Sequence, residues 1–118
     1  MKILITDDSR MARRMVKKTL LECIDTYEEI LEGSNGQEAI DIYKEHQPDV
    51  VFLDLTMPVK TGFEALNEII EFDKNAKVIV ISADIQKAAM DKVREAGALT
   101  FIKKPISTEK MTQILEKI

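Results

Sequence analysis

Three carboxylates, a hydroxyl and an ammonium stand at the ends of apolar runs in this chain, where a sheet would hold them together. Asp54 closes the run Val50-Val51-Phe52-Leu53, and Asp7 and Asp8 follow Ile3-Leu4-Ile5-Thr6. Ser82 closes Val78-Ile79-Val80-Ile81, and Lys103 and Lys104 follow Leu99-Thr100-Phe101-Ile102. If the three acids converge, each like-charge pair at about 4 Å costs about 4 kcal/mol at an effective dielectric near 20. Lys104 alone would leave two negative charges uncompensated, whereas a divalent cation brings the cluster to balance. Oxygen-only donors, with no histidine or thiol beside them, favour Mg2+, with Mn2+ as the alternative ion. A carboxylate nucleophile beside a metal and an ammonium is equipped for phosphoryl transfer, and Asp54 is the best-placed nucleophile.

The elements that must position these groups alternate five times. Short continuous apolar runs read as fully buried strands of a parallel sheet, which binds ligands beyond its carboxyl ends. After the first strand, Ala12, Val16, Leu20 and Cys23 recur at helical spacing while Arg10, Arg13, Arg14, Lys17 and Lys18 face elsewhere. Glu29-Ile30-Leu31-Glu32 reads as a second strand, and Ser34 to Gln37 as a capping box opening a helix whose buried face carries Ala39, Ile40 and Tyr43. Further helices are predicted over 62–72, over 86–95 before the stop signal Ala96-Gly97, and from Thr108 to the end. The pattern is (βα)5. Right-handed crossovers and helices on both faces then give a doubly wound, flavodoxin-like α/β sheet of order 2-1-3-4-5, with strands one and three flanking the crevice.

Composition bounds the function. The 118 residues suit one domain spanning the whole chain, and 45% hydrophobic with 32% charged residues is the balance of a globular protein. A net charge of -4 argues against direct nucleic-acid binding, which gains from many cationic contacts to phosphates. No run approaches the roughly 18 apolar residues of a membrane span, and Met1-Lys2 leads straight into a strand, so a cytoplasmic location without membrane insertion is expected. The single cysteine, Cys23, excludes an internal disulfide and reads as a core residue.

At these positions the chain resembles, over its whole length, the receiver domain of bacterial response regulators, above all the CheY-like chemotaxis regulators. Asp7-Asp8-Ser9 followed by Arg13-Arg14 carries much of that likeness. The resemblance implies a phosphorylation-activated switch that takes its phosphoryl group from a histidine kinase or phosphotransfer domain. It implies that Asp54 is the acceptor, that Asp8, Asp54 and the backbone carbonyl of Thr56 ligate Mg2+, and that Asp7 acts through a metal-bound water. Ser82 matches the hydroxyl that binds a phosphoryl oxygen in the active state, Lys104 the lysine that pairs with another, and Phe101 the aromatic switch position. Thr56 and Asp84 match positions that tune the lifetime of the acyl phosphate. The Lys104-Pro105 bond is expected to be cis, and the downstream target is expected on the face of the fourth helix, fifth strand and fifth helix. Two departures stand out: Lys60-Thr61 replaces the common Met-Asp before Gly62, and Phe101 replaces the tyrosine of motor-binding regulators.

Other readings compete at several points. A haloacid-dehalogenase-like phosphatase also uses a strand-end aspartate, but its Asp-x-Asp motif is broken here by Thr56. A metal-blind scaffold would have no need of the complete acid, hydroxyl and lysine set. The basic residues of the first helix fit a solvated face or a docking surface for an acidic kinase domain, and their place beside the site favours docking. His46, before Gln47-Pro48, suits a helix end, where a cation complements the dipole. Met57-Pro58 reads as turn chemistry, and the other methionines read as core packing.

Overall fold

The computed structural model describes residues 1–55, 57, 59–83 and 86–118. Thr56 and Asp84, expected to tune phosphoryl lifetime, and the Thr56 carbonyl, expected on the metal, lie outside the described residues.

Five strands alternate with five helices: β1 (Lys2–Thr6), α1 (Arg10–Cys23), β2 (Glu29–Gly33), α2 (Gly36–His46), β3 (Val50–Asp54), α3 (Gly62–Phe72), β4 (Val78–Ser82), α4 (Lys87–Glu95), β5 (Thr100–Lys103) and α5 (Thr108–Lys117). The strands are all parallel, in the order β2-β1-β3-β4-β5. Every residue of β3 and β4 is buried, which explains why these two read as unbroken apolar runs. Alternation along the strands splits the core into two layers. Ile3, Ile5, Phe52, Ile79 and Ile81 pack with Val16 and Leu20 of α1 and Met111 and Ile114 of α5. On the other face Leu4, Val51, Leu53, Val78 and Val80 pack with α2, α3 and α4 through Ala39, Ile40, Leu66, Ile69 and Val93. No helix among the described residues is long and apolar enough to cross a membrane.

Helix ends correct the sequence reading in one place. The N-cap of α2 is Asn35, not Ser34, and its side chain accepts the Glu38 N–H. Glu38 in turn accepts from the N–H and hydroxyl of Ser34, the residue before the cap, so the reciprocal capping box that the Ser34-Gln37 spacing suggested does not form. Asn and Ser cap about equally well, and the geometry of the β2–α2 turn decides between adjacent candidates. The departure at Lys60-Thr61 has a local reason. Thr61 caps α3 in a full capping box with Glu64, while Lys60 pairs with Glu68 one turn further on.

Three smaller expectations also shift. Leu99 precedes β5 and is exposed. Cys23 is half-buried at the contact of α1 with α5, its thiol facing the Thr108 carbonyl and the Thr112 hydroxyl. Met57 and Met111 are buried, but Met11 and Met15 on α1 are exposed, at 73% and 52%, and are not core residues. Helical spacing places them on the outer side of a helix whose inner stripe is Val16 and Leu20.

Candidate functional site

The carboxyl ends of β1, β3, β4 and β5 deliver the acids, the hydroxyl and the lysine to one crevice. β1 and β3 are neighbours, with Thr6 opposite Leu53, so the residues that follow Thr6 come up beside Asp54. Carboxylate oxygens of Asp7, Asp8 and Asp54 lie within 4.8 Å of one another. Asp7 and Asp54 are buried and Asp8 is exposed. Ser82, also buried, ends β4 opposite Lys103. The Lys104 N–H donates to the Ser82 carbonyl at 2.8 Å, which turns the lysine side chain back over the sheet. The Lys104-Pro105 bond is cis, as the resemblance implied.

Each oxygen of Asp7 already has a partner. Oδ1 accepts the Ser9 N–H at 3.0 Å, the short-range bond that aspartate favours in turns, and Oδ2 accepts from Lys104 Nζ at 2.7 Å. Ser9 also caps α1 by accepting from Ala12. The same Nζ stands 3.5 Å from Asp54 Oδ1. Asp8 makes no side-chain hydrogen bond among the described residues.

Charge follows from this geometry. Burial, reinforced by the Asp7 carboxylate and opposed by Lys104, pushes the Asp54 carboxyl up from 3.8 to about 6. Burial alone would lower the Lys104 ammonium, but its bond to Asp7 and the nearby Asp54 hold it above the usual value, so it stays charged. Lys104 reaches Asp7 and Asp54 but is not paired with Asp8, so among the described residues the three acids outnumber the ammonium that serves them. An oxygen-only donor set with one exposed, unbonded carboxylate at its mouth fits a small divalent cation such as Mg2+. Thus the structure brings together Asp7, Asp8, Asp54, Ser82 and Lys104. Phe101 lies on β5 beyond the site, half-buried beside a cleft of about 270 Å³ that Met90, Val93, Arg94 and Leu99 also line.

Two residues that the sequence reading named without a role in the site also contribute to it. Gly62 opens α3 so close to the acceptor strand that a Cβ there would stand 1.9 Å from the Asp54 carbonyl oxygen. Its N–H donates to the Leu55 carbonyl at 2.9 Å. Any other residue would push the β3–α3 connection away from Asp54. Arg13, grouped by sequence with the other cations of α1, instead turns inward with its side chain only 14% exposed.

Comparison with known proteins agrees with this arrangement. Residues 3–116 match the family described as response regulator receiver domain. The chain is 40% identical to the chemotaxis protein CheY of Thermotoga maritima over 99% of this chain and 96% of that protein. It is 38% identical to the chemotaxis protein CheY of Bacillus subtilis, over 98% and 95%. Among solved structures it is similar to a chain of the CheX-CheY-BeF3-Mg2+ complex from Borrelia burgdorferi, with a TM-score of 0.88 and 35% identity over 97% of this chain and 85% of that one.

Proposed function

The chain belongs to the response-regulator receiver domain family, close to the CheY chemotaxis proteins, and from that membership we propose a chemistry for its site. The protein is a phosphorylation-activated signalling switch, and Asp54 is its acceptor. An Asp54 carboxylate oxygen attacks the phosphorus of a phosphohistidine on the donor kinase or phosphotransfer domain. The new O–P bond forms as the P–N bond breaks, and the imidazole nitrogen leaves with the electron pair and takes a proton from solvent. Lys104 neutralises one oxygen of the transferring group, and the Ser82 hydroxyl donates to another once it has arrived. Asp8 and Asp54, with the Thr56 carbonyl, would hold Mg2+, which supplies charge neutralisation at the transferring oxygens. Both oxygens of Asp7 are engaged, which supports a role through a metal-bound water.

The observation that carries this reading is the convergence of three carboxylates beside a single ammonium that reaches only Asp7 and Asp54 among them, an arrangement costly to fold that a divalent cation would relieve. Because the chemistry is confined to the protein's own aspartate, it is a regulator and not an enzyme with a separate substrate. A haloacid-dehalogenase-like phosphatase is not supported by the family match.

The exposed cations Arg10, Arg14 and Lys18 and the half-buried Lys17, beside the acids and interleaved with Met11 and Met15, supply a docking surface for an acidic donor domain. The target is bound through α4, β5 and α5, and the Phe101 ring on this face moves inward when Ser82 engages the phosphoryl group. A cytoplasmic location belongs to the same reading. Intact-protein mass spectrometry with acetyl phosphate tests the site: wild type should gain one phosphoryl group with Mg2+ and none with chelator. Equal labelling of Asp54→Ala would overturn the assignment.

A further inference from the structure

We infer that Arg13 is a positioning residue for the metal site, fixing the Asp7-Asp8 peptide from behind through a bond to the Asp7 carbonyl and an ion pair with Glu32. The inference rests on the reading that the three acids hold Mg2+. Arg13 Nη1 donates to the Asp7 carbonyl oxygen at 2.7 Å, and Nε pairs with Glu32 Oε1 on β2 at 3.0 Å. The Asp7 N–H, on the other side of the same residue, donates to the Gly33 carbonyl at 3.1 Å. The loop is thus tied to β2 twice, once directly and once through the guanidinium.

This matters most for Asp8. The Asp7 side chain is anchored independently by Ser9 and Lys104. Asp8 has no side-chain hydrogen bond among the described residues, so where its carboxylate lies is set by the peptide plane that Arg13 holds. The guanidinium bonds the carbonyl through Nη1 and the carboxylate through Nε, two nitrogens held apart in one rigid plane, whereas a lysine offers a single nitrogen on a flexible stem and cannot reproduce that spacing.

The sign of the effect separates positioning from plain electrostatics. Arg13 is a cation beside a cation site, so by Coulomb's law alone its removal should tighten Mg2+ binding. Held as a positioning residue, its removal should weaken binding, and groups that orient metal ligands commonly matter by about tenfold or more. Calorimetric Mg2+ titrations of wild type, Arg13→Lys, Arg13→Gln and Glu32→Gln read this directly. Glu32 lies at the surface, so Glu32→Gln tests the fork even if Arg13→Gln fails to fold, and it does so through the Asp8 amide, because losing an anion weakens Mg2+ binding on charge alone. All three variants should bind Mg2+ about tenfold more weakly, and in chelator the amide resonance of Asp8 should shift in each while that of distant Ile114 stays fixed. Wild-type affinity in Arg13→Lys, tighter binding in Arg13→Gln, or an unmoved Asp8 amide overturns the inference. Absence of Mg2+ binding by wild type would instead overturn the metal reading and this inference with it.

Discussion

Lys104 donates to Asp7 at 2.7 Å yet stands 3.5 Å from Asp54, so the half-buried ammonium leans toward the carboxylate that is not the acceptor. Burial, reinforced by the Asp7 carboxylate, pushes the acceptor's carboxyl up to about 6, and the lysine, held at the longer distance, offsets this only in part. A phosphoryl group on Asp54 would bring the lysine a third anion to satisfy.

Lys104→Ala should therefore separate two quantities. Without the ammonium the buried acids are uncompensated, and stability in chelator should fall by about 3 kcal/mol. Mg2+ should bind the variant more tightly, since a competing cation is gone, and should restore much of the loss. Urea unfolding with chelator and with Mg2+ measures both; equal stabilities of variant and wild type in chelator would refute the charge argument.

Asp54 gives a pH dependence of definite sign. Its folded pKa, about 6, lies above the ordinary 3.8, so the folded state binds the proton more tightly than the unfolded chain. The contribution to stability is full below pH 3.8 and is lost as pH rises through about 6. Asp54→Asn should leave stability near wild type at pH 4, and raise it in chelator at pH 8 by at most about 3 kcal/mol, at 1.36 kcal/mol per pKa unit. Denaturant titrations at the two pH values are the check. A gain at pH 4 equal to that at pH 8 would show that charge is not its origin.

Val59, in the connection after β3, has a φ of 61°, a left-handed conformation that β-branched residues rarely adopt. Its side chain is exposed, so no packing would be lost by replacing it. Val59→Asn should stabilise the protein by about 1 kcal/mol, because asparagine tolerates this region. The urea midpoint should rise with an unchanged slope; a lower midpoint would mean the valine is held by something other than its backbone.

Phe101 and Ser82 should report activation together. Beryllofluoride with Mg2+ should shift amide resonances from Gln86 to Met90 and from Thr100 to Ile106, besides those at the site. Lacking a hydroxyl, Phe101 loses little on moving inward, so these shifts should lie partway along the same path before activation. Shifts confined to the neighbours of Asp54 would rule out this face as the output surface.

What the sequence determined by itself was the order of elements and the acids at their ends. Buried parallel strands have to be apolar throughout, so Val50–Leu53 and Val78–Ile81 announce themselves, and the polar residue that ends such a run marks the carboxyl edge. Crossover handedness then leaves few ways to arrange five such units, which is why the order β2-β1-β3-β4-β5 could be anticipated. Caps were less legible: Ser34 and Asn35 are both good N-caps, and only the path of the chain out of β2 chose Asn35. The five cations of α1 look equivalent along the sequence, because helical period specifies a face but not what stands across from it. Tertiary structure brought Glu32 and the Asp7 carbonyl to Arg13 alone and left Arg10 and Arg14 in solvent. Likewise the pull of Lys104 toward Asp7, and the raised carboxyl of Asp54, depend on distances of a few ångströms and on burial, which exist only once β1, β3 and β5 share a sheet.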